Sequence, residues 1–328
     1  MTKAVDRRSL FKLGAAAGTA ALVAPQIMTR AAFAQAPQRP EVGNAGFHRF
    51  NLGDFEVTVI LDGLRPGDGP FPTFGANQQA ADVEALMAEN FLPTKRMVNQ
   101  FNPVLVNTGS ELVLFDTGMG PEGRQAGMGQ LTRRIADSGY SPSDVTMVVI
   151  THMHGDHING LMEGDQPAFV GARYVAGQTE WDFWTSADRA GTPAEGNAKA
   201  VQGKVVPLRE KMTFIEDKAA VTAGITAMAA PGHTPGHMTF MLESQGRSLL
   251  LTADTANHFV ASLQRPDWEV SFDIDKAKAA ETRKTIFGML ASEKMPFIGY
   301  HMPHPSVGFV EAMGSGFRFV PATYQFQV

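Results

Sequence analysis

The stretch Thr151–Gly160, "THMHGDHING", places three of the chain's nine histidines and an aspartate within six residues. The first two histidines, His152 and His154, are two positions apart, so at the end of an extended strand their imidazoles point to the same side. A glycine then permits a sharp turn, and Asp156 and His157 follow. This spacing differs from the i, i+4 spacing of a helical zinc site. Because a histidine that only fills a core is usually solitary, the cluster predicts a metal site.

Apolar strands that run into polar turns recur along the chain, in "ELVLFDTG", "GITAMAAPGH", "RSLLLTAD" and "MPFIGYH". Three of these strand ends add a candidate ligand: His233, Asp254 and His301. Seven side chains can then hold two adjacent ions, three for each ion and one carboxylate between them: His152, His154 and His233; Asp156, His157 and His301; and Asp254. Two such ions share a hydroxide, which forms near neutral pH, so no side-chain base is needed. Asp156 and Asp254 are the carboxylates predicted to take part in catalysis with this bridging hydroxide.

The composition limits both the metal and the partners. Cysteine is absent, so any ligand must be nitrogen or oxygen. Histidine and aspartate suit zinc, which we predict, but also manganese, cobalt and iron. The net charge of -5 is mild and acids and bases are interspersed, so nucleic acid is not an expected partner. An apolar fraction of 44% is sufficient for a large core.

The first residues predict an export signal rather than part of the fold. The pair Arg7 and Arg8 precedes a weakly apolar run, and small residues at 32–34 resemble a cleavage site. An amphipathic or disordered tail is the alternative. The apolar run is too short to span a bilayer, so we expect export through the twin-arginine machinery, a mature protein in the periplasm or secreted, and no membrane span. Three regions follow: a signal at 1–34, a linker at 35–46 and a hydrolase domain at 47–328.

Strands alternating with helical segments predict an α/β layered protein. A hairpin about the turn Asn51–Asp54 opens the domain. The Gly- and Pro-rich stretch 63–77 is expected to be a loop, and 78–91 a helix that ends before Pro93.

The motif "THMHGDH", with the later His, Asp and His, resembles the HxHxDH signature of the metallo-β-lactamase superfamily. The resemblance implies an α/β fold, a four-layer αββα sandwich with its metals at one edge of the two sheets. The stretches "LGDFEVTVILDG", "VNTGSELVLFDTG", "GHTPGHMTFMLESQG" and "GFRFVPATY" are similar to the branch that contains the methyl parathion hydrolases, exported dinuclear enzymes that cleave phosphotriesters, with relatives that open lactones. The resemblance also implies a homodimer, and a supporting role near the ligand histidines for Asp116. His237 and His304 each lie a few residues past a ligand, so we expect them to support the ligands or to pack beside them rather than to take part in catalysis.

The same resemblance suggests an aromatic pocket for a small hydrophobic lactone, ester or phosphotriester. One wall is expected from the aromatic residues after the metal motif, which are Trp181, Phe183 and Trp184. The opposite wall is expected from the early loop and the helix after it, with Phe71, Phe74 and Phe91. Asn257 and His258, which follow the bridging aspartate, complete the expected lining. The best-known quorum-quenching lactonases have a tyrosine where this chain has Asn257, which disfavours acyl-homoserine lactones.

Other functions remain open from the sequence. One is thioester hydrolysis of the glyoxalase II kind, and another is a mononuclear iron persulfide dioxygenase. A periplasmic metal-binding protein without turnover is the non-enzyme alternative. A nuclease fits poorly with the acidic balance and with export.

Overall fold

The structure is a computed structural model that describes residues 46–322, 326 and 328. The predicted signal, 1–34, and the predicted linker up to residue 45 lie outside the described residues. None of the described helices is long and apolar enough to cross a bilayer.

The described part of the chain contains eighteen strands. In chain order they are β1 (Phe47–Leu52), β2 (Phe55–Ile60), β3 (Gly63–Asp68), β4 (Arg96–Phe101), β5 (Val104–Asn107), β6 (Leu112–Phe115), β7 (Met147–Ile150), β8 (Met162–Glu163), β9 (Gln166–Pro167), β10 (Arg173–Gly177), β11 (Met212–Ile215), β12 (Ala220–Thr222), β13 (Ile225–Ala229), β14 (Met238–Ser244), β15 (Arg247–Ala253), β16 (Phe297–Gly299), β17 (Val307–Met313) and β18 (Gly316–Pro321).

The α-helices of the same residues are fewer. They are α1 (Ala80–Glu89), α2 (Gly120–Gly123), α3 (Leu131–Asp137), α4 (Gly155–Ile158), α5 (Gln178–Thr185), α6 (Glu195–Lys204), α7 (Ala261–Gln264) and α8 (Lys276–Glu293).

The strands form two seven-stranded sheets and two short ribbons. The first sheet has the order β1-β2-β5-β6-β7-β10-β11, and its last four strands run parallel. The second has the order β12-β13-β14-β15-β16-β17-β18 and is antiparallel except between β15 and β16. The ribbons pair β3 with β4 and β8 with β9.

Strand β7 shows how the sequence assigns side chains to layers. All four of its residues are buried, but Met147 and Val149 belong to the core between the sheets, while Val148 and Ile150 belong to the core beneath the helices. Side chains alternate along a strand, so a strand covered on both faces must be apolar throughout. The uninterrupted run "MVVI" is therefore what a central strand requires.

Each sheet is covered on its outer face by helices. Ile135 of α3 and Val201 of α6 pack on the first sheet, and Phe287 and Leu290 of α8 pack on the second. The order of layers is helix, sheet, sheet, helix. The predicted four-layer αββα sandwich is confirmed.

The N-terminal hairpin forms as predicted, with Phe47 opposite Ile60. The predicted loop 63–77 is wrong in its first part, because Gly63–Asp68 forms β3 and pairs with β4. Glycine, proline and aspartate are poor strand formers, which explains the wrong prediction. A proline such as Pro66 is tolerated in a two-stranded ribbon, where one edge needs no ladder hydrogen bonds.

Candidate metal centre

The candidate ligands lie where strands of both sheets end at one edge of the sandwich. The helix α4, Gly155–Ile158, follows β7 directly and carries two of them. The others follow β7, β13, β15 and β16 within a few residues. The structure brings all seven predicted ligands together, in three overlapping groups: His152, His154 and His233; His152, His157 and Asp254; Asp156, His157 and His301.

The first group is a triangle of imidazole nitrogens. Nε2 of His152 lies 3.1 Å from Nδ1 of His154, which lies 2.9 Å from Nε2 of His233. Nitrogen ligands of a tetrahedral zinc ion, with bonds of 2.0 to 2.1 Å, stand about 3.3 Å apart. The spacing therefore fits a small divalent cation held by three nitrogens.

The second group is joined to the first by one carboxylate. Oδ2 of Asp156 lies 3.7 Å from Nε2 of His157 and 3.4 Å from Nε2 of His301. The Asp254 carboxylate lies between the groups, with Oδ2 at 3.3 Å from Nε2 of His233 and 3.1 Å from Nε2 of His301. Asp254 would therefore be shared by both groups of ligands if two cations were bound.

The donor set fits cations better than it fits hydrogen bonds alone. Nε2 of His157 and Oδ1 of Asp254 are buried side-chain atoms that have no hydrogen-bond partner among the described residues. Buried polar atoms are rarely left in this state. Burial lowers the pKa of His233, but its hydrogen bonds to Asp254 and Asp273 outweigh burial and raise the pKa to about 9. The site therefore attracts positive charge, which divalent cations supply.

Three of the ligand imidazoles are oriented by hydrogen bonds from Nδ1 to oxygen atoms. Nδ1 of His157 donates to Asp116 over 2.8 Å, Nδ1 of His233 to Asp273 over 2.8 Å, and Nδ1 of His301 to the carbonyl of Gln100 over 2.8 Å. A hydrogen bond at one ring nitrogen leaves the lone pair of the other for a metal.

Asp116, which was expected to support the ligands, lies at a left-handed backbone position directly after β6. It is buried, and besides His157 it accepts hydrogen bonds from the amide and the hydroxyl of Thr151. Burial raises the pKa of Asp116, while the facing His157 opposes that shift. Asp116 thus connects the end of β6 to the end of β7 at the metal motif.

Two supporting carboxylates were missed at the sequence level. Asp273 is buried and pairs with the buried Arg283 over 2.9 Å while it holds His233. Glu180 is buried and accepts hydrogen bonds from the amides of Met153 and Gly236. Asp273 lies between α7 and α8, and Glu180, although it follows β10 by three residues, lies inside α5 where it is spaced like any helical residue, so burial as an acid is the signal that could have revealed them.

The residues expected to support the ligands behave differently from one another. Nε2 of His237 accepts the amide proton of Asp254 over 3.1 Å, and burial lowers the pKa of His237 to about 3, so the ring stays a neutral acceptor. His304 reaches no ligand; its Nδ1 faces Oδ1 of Asn102 at 3.0 Å, because the chain turns away after His301. Asn257 donates to Oδ2 of Asp254 over 2.8 Å.

The sequence model of the metallo-beta-lactamase superfamily matches residues 97–292 of this chain. The chain belongs to the metallo-beta-lactamase superfamily. The structure of AidC, a dizinc quorum-quenching lactonase in complex with a product, N-hexanoyl-L-homoserine, superposes with a TM-score of 0.79 at 27% identity, covering 84% of this chain and 97% of that one.

The similarity to two curated relatives covers a smaller part of each chain. An N-acyl homoserine lactonase of a Bacillus species is 25% identical over 168 residues, which is 47% of this chain and 59% of the lactonase. An atrochrysone carboxyl ACP thioesterase of a Cryptosporiopsis species is 26% identical over 207 residues, 62% of this chain and 53% of the thioesterase. The chain thus matches little more than half the length of these relatives.

A cleft of about 350 Å³ opens onto the ligands of this superfamily member. Besides the ligand residues, its lining mixes polar and apolar side chains: Arg65, Asn99, Asn159 and Asn197; Phe101, Met119 and Phe272. The amides and the guanidinium can donate hydrogen bonds to a bound molecule. The cleft is therefore more polar than the aromatic pocket that we expected.

None of the eight predicted pocket residues lines this cleft. The aromatic residues of α5 turn into the helical layer instead, where Trp184 is 2% exposed and Trp181 and Phe183 pack at its edge. Phe74 is fully buried and Phe91 is 97% exposed. The remaining three do not line the cleft either, although Asn257 contacts Asp254 behind the lining: Phe71, Asn257 and His258. For the three residues of α5, sequence distance from the motif did not determine the direction in which the helix faces.

Proposed function

We propose that this chain is a hydrolase that opens lactones with two divalent metal ions. One observation carries the proposal: seven ligand side chains converge in groups that share the carboxylate of Asp254. Zinc is the proposed metal because the spacing of the nitrogens suits it and because the similar AidC structure is dizinc.

When bound, two divalent cations supply Lewis acidity, which polarises a carbonyl group and makes water nucleophilic at neutral pH. The chain's contribution is to hold its ligands rigidly. Asp254 is oriented by the side chain of Asn257 and by the hydrogen bond from its own amide to His237. The ligand imidazoles are oriented by hydrogen bonds to carboxylates or to a carbonyl, as Asp116 orients His157. Burial opposes the ionisation of Asp254, but the facing His301 and His157 hold its pKa well below the usual range, so the carboxylate is anionic.

The cleft orients a substrate rather than only enclosing it. Asn99 and Asn159 line the cleft beside the ligands with amide groups, and Arg65 lines it with a cation, while Nδ2 of Asn197 donates to the carbonyl of Met153 over 2.6 Å. A small lactone with polar substituents finds hydrogen-bond partners there. The lactonase relatives support a lactone as the first choice, ahead of an aryl ester or a phosphotriester.

Acyl-homoserine lactones are less favoured within that class. Asn257, which stands where the best-known quorum-quenching lactonases have a tyrosine, donates its side-chain amide to Asp254 and so is not directed at a substrate. The hydroxyl of Tyr300 donates to the carbonyl of Asp156 over 2.6 Å, so this phenol is not directed at a substrate either. Thioester hydrolysis is the second candidate, because a thioesterase is among the relatives.

A substrate panel with metal analysis tests the proposal. The metal-loaded protein is assayed against a δ-lactone, an acyl-homoserine lactone, an aryl ester, methyl parathion and a glutathione thioester, ranked by kcat/KM. We expect two ions per chain and the highest value for the δ-lactone. A higher value for the thioester would favour the second candidate, one iron with oxygen consumption would favour a dioxygenase, and full metal loading without turnover would favour a binding protein.

The variant Asp254→Asn tests the role of the shared carboxylate. We expect it to fold and to lose turnover of every substrate in the panel, because an amide cannot bridge two cations. Asp165→Asn, in an exposed turn, is the matched control and should keep full activity. Full activity of Asp254→Asn would contradict the proposed bridged site.

We further propose that the protein is exported through the twin-arginine machinery and acts in the periplasm or outside the cell. The signal-like features around Arg7 and Arg8 support this. Replacing both arginines with lysine should retain the protein in the cytoplasm, as measured by cell fractionation, and unchanged export would contradict the proposal. The homodimer stays a prediction that light scattering of the purified protein tests.

A further inference from the structure

A second cavity lies beside the metal cleft. Its volume is about 490 Å³, within the usual range for small-molecule sites. The cavity and the cleft share no lining residue. A wall of protein therefore separates them.

The wall is the two-stranded ribbon β3–β4. Asn99 and Phe101 of β4 line the metal cleft, whereas Val98 and Gln100, at the alternate positions, line the second cavity, together with Met97 near the start of the strand. Pro66, which pairs with Val98 across the ribbon, also lines that cavity. Successive side chains of a strand point to opposite faces, so one strand serves both spaces.

The second cavity is mostly apolar. Met87 and Leu92 come from α1 and the turn after it, Met97 and Val98 from the ribbon, and Phe259 from the loop after Asp254. Such a lining favours an aliphatic chain, because burying apolar surface is the main source of affinity in a site of this kind.

His258 gives the cavity a fixed hydrogen-bond donor. Its Nδ1 accepts the amide protons of Val260 and Ala261, both over 3.1 Å, so Nε2 carries the ring proton. The ring is held between Phe74, with centroids 5.1 Å apart, and Phe259, at 5.2 Å. Burial lowers the pKa of His258 to about 4, so the ring is a neutral donor at pH 7.

Arg96 gives the cavity a positive charge. It lies on β4 at the exposed side of the lining. In the described part of the chain it forms no salt bridge, whereas the neighbouring Lys95 pairs with Glu84 over 3.7 Å. The guanidinium is thus available to an anionic ligand, and it suits a carboxylate because it can donate two parallel hydrogen bonds.

We propose that this cavity is a binding site for a medium-chain alkyl carboxylate, with the alkyl chain against the apolar lining and the carboxylate against Arg96 and His258. The site is separate from the metal cleft and does not depend on the reaction that the cleft catalyses.

A carboxylate bound in this cavity would also contact β4, the strand that positions His301. Gln100 lines the cavity with its side chain, while its backbone carbonyl accepts Nδ1 of His301 over 2.8 Å. Its Oε1 accepts the amide of His304 over 2.7 Å, and Pro303 of the same turn lines the cavity. We therefore expect occupancy to change kcat for a small ester without raising KM, since the ligand does not occupy the substrate cleft.

Titration calorimetry of the metal-loaded protein with 10-bromodecanoate tests the proposal. We expect binding that Arg96→Gln weakens about tenfold, because a charge-assisted hydrogen bond is lost. Lys95→Gln removes the adjacent charge outside the cavity and should leave the affinity unchanged. Val98→Asp, at a side chain 52% exposed and therefore tolerant of substitution, should abolish binding by placing a like charge on the wall.

Crystals of the same complex locate the ligand through the anomalous signal of bromine. A bromine peak among Met87, Leu92 and Phe259 would support the proposal. A peak in the metal cleft, a rise in KM that indicates competition with substrate, or equal affinities for Arg96→Gln and Lys95→Gln would overturn it. These measurements report binding whether or not the protein hydrolyses lactones, so the failure of one proposal is distinct from failure of the other.

Discussion

Replacing Asp273 with asparagine should affect both the stability of the protein and its affinity for metal. Asp273 is buried, donates no hydrogen bond, and accepts from Nδ1 of His233 at one oxygen and from Nη2 of Arg283 at the other. Asparagine keeps a carbonyl oxygen for the imidazole. Its amide group then faces the guanidinium, so two donors meet where an ion pair stood.

The size of the effect follows from burial. Breaking a buried ion pair by removing one partner costs about 3 to 5 kcal/mol, because the other charge stays buried without compensation. Arg283 keeps two hydrogen bonds, to the carbonyls of Thr255 and Pro266, so we expect about 3 kcal/mol. Loss of a residue that orients a ligand imidazole typically weakens metal binding about 10- to 100-fold.

Urea unfolding at a fixed excess of zinc measures the first effect, and competition with a chelator measures the second. Asp267→Asn is the matched control: this aspartate pairs with Lys284 on the surface, and its loss should change the free energy of unfolding by less than about 0.5 kcal/mol. A loss below about 1 kcal/mol for Asp273→Asn, with unchanged zinc affinity, would refute the reasoning.

Two further predictions concern pH and metal removal. Burial lowers the pKa of His258 from 6.5 to about 4, so the native state favours the neutral ring. The stability that this group contributes is fully present above pH 6.5. It is lost as the pH falls to about 4, by at most about 3 kcal/mol. His258→Asn, which keeps an oxygen for the two amides, should flatten the unfolding free energy over that window, and an unchanged slope would show that the ring is not the cause. Chelation should lower the melting temperature by roughly 10 °C and zinc should restore it, since a ligand at 1,000 times its Kd adds about 4 kcal/mol; equal melting temperatures with and without metal would contradict a loaded site.

The sequence was most informative where function depends on local spacing. His152 and His154 follow a strand whose apolar run identifies it as central, so their common direction could be inferred from the period of a strand alone. The same argument placed Asp254 and His301 at strand ends, and the four-layer fold then followed from the family resemblance.

The supporting carboxylates could not be inferred in this way. Asp273 lies 40 residues from His233, and Glu180 lies 27 residues from Met153. Asp273 meets His233 between two loops, and Glu180 reaches Met153 from helix α5; no short-range periodicity encodes either contact.

The sequence by itself determined which side chains can bind metal and which strands deliver them, because alternation along a strand and burial on two faces are local properties. Only the tertiary structure decided what surrounds the metals. Strand β3 comes from a stretch too rich in glycine and proline to predict a strand, and the ribbon that it forms with β4 separates the metal cleft from an apolar cavity. The direction in which α5 faces was set by packing against the first sheet, which buried Trp184 rather than offering it to a substrate.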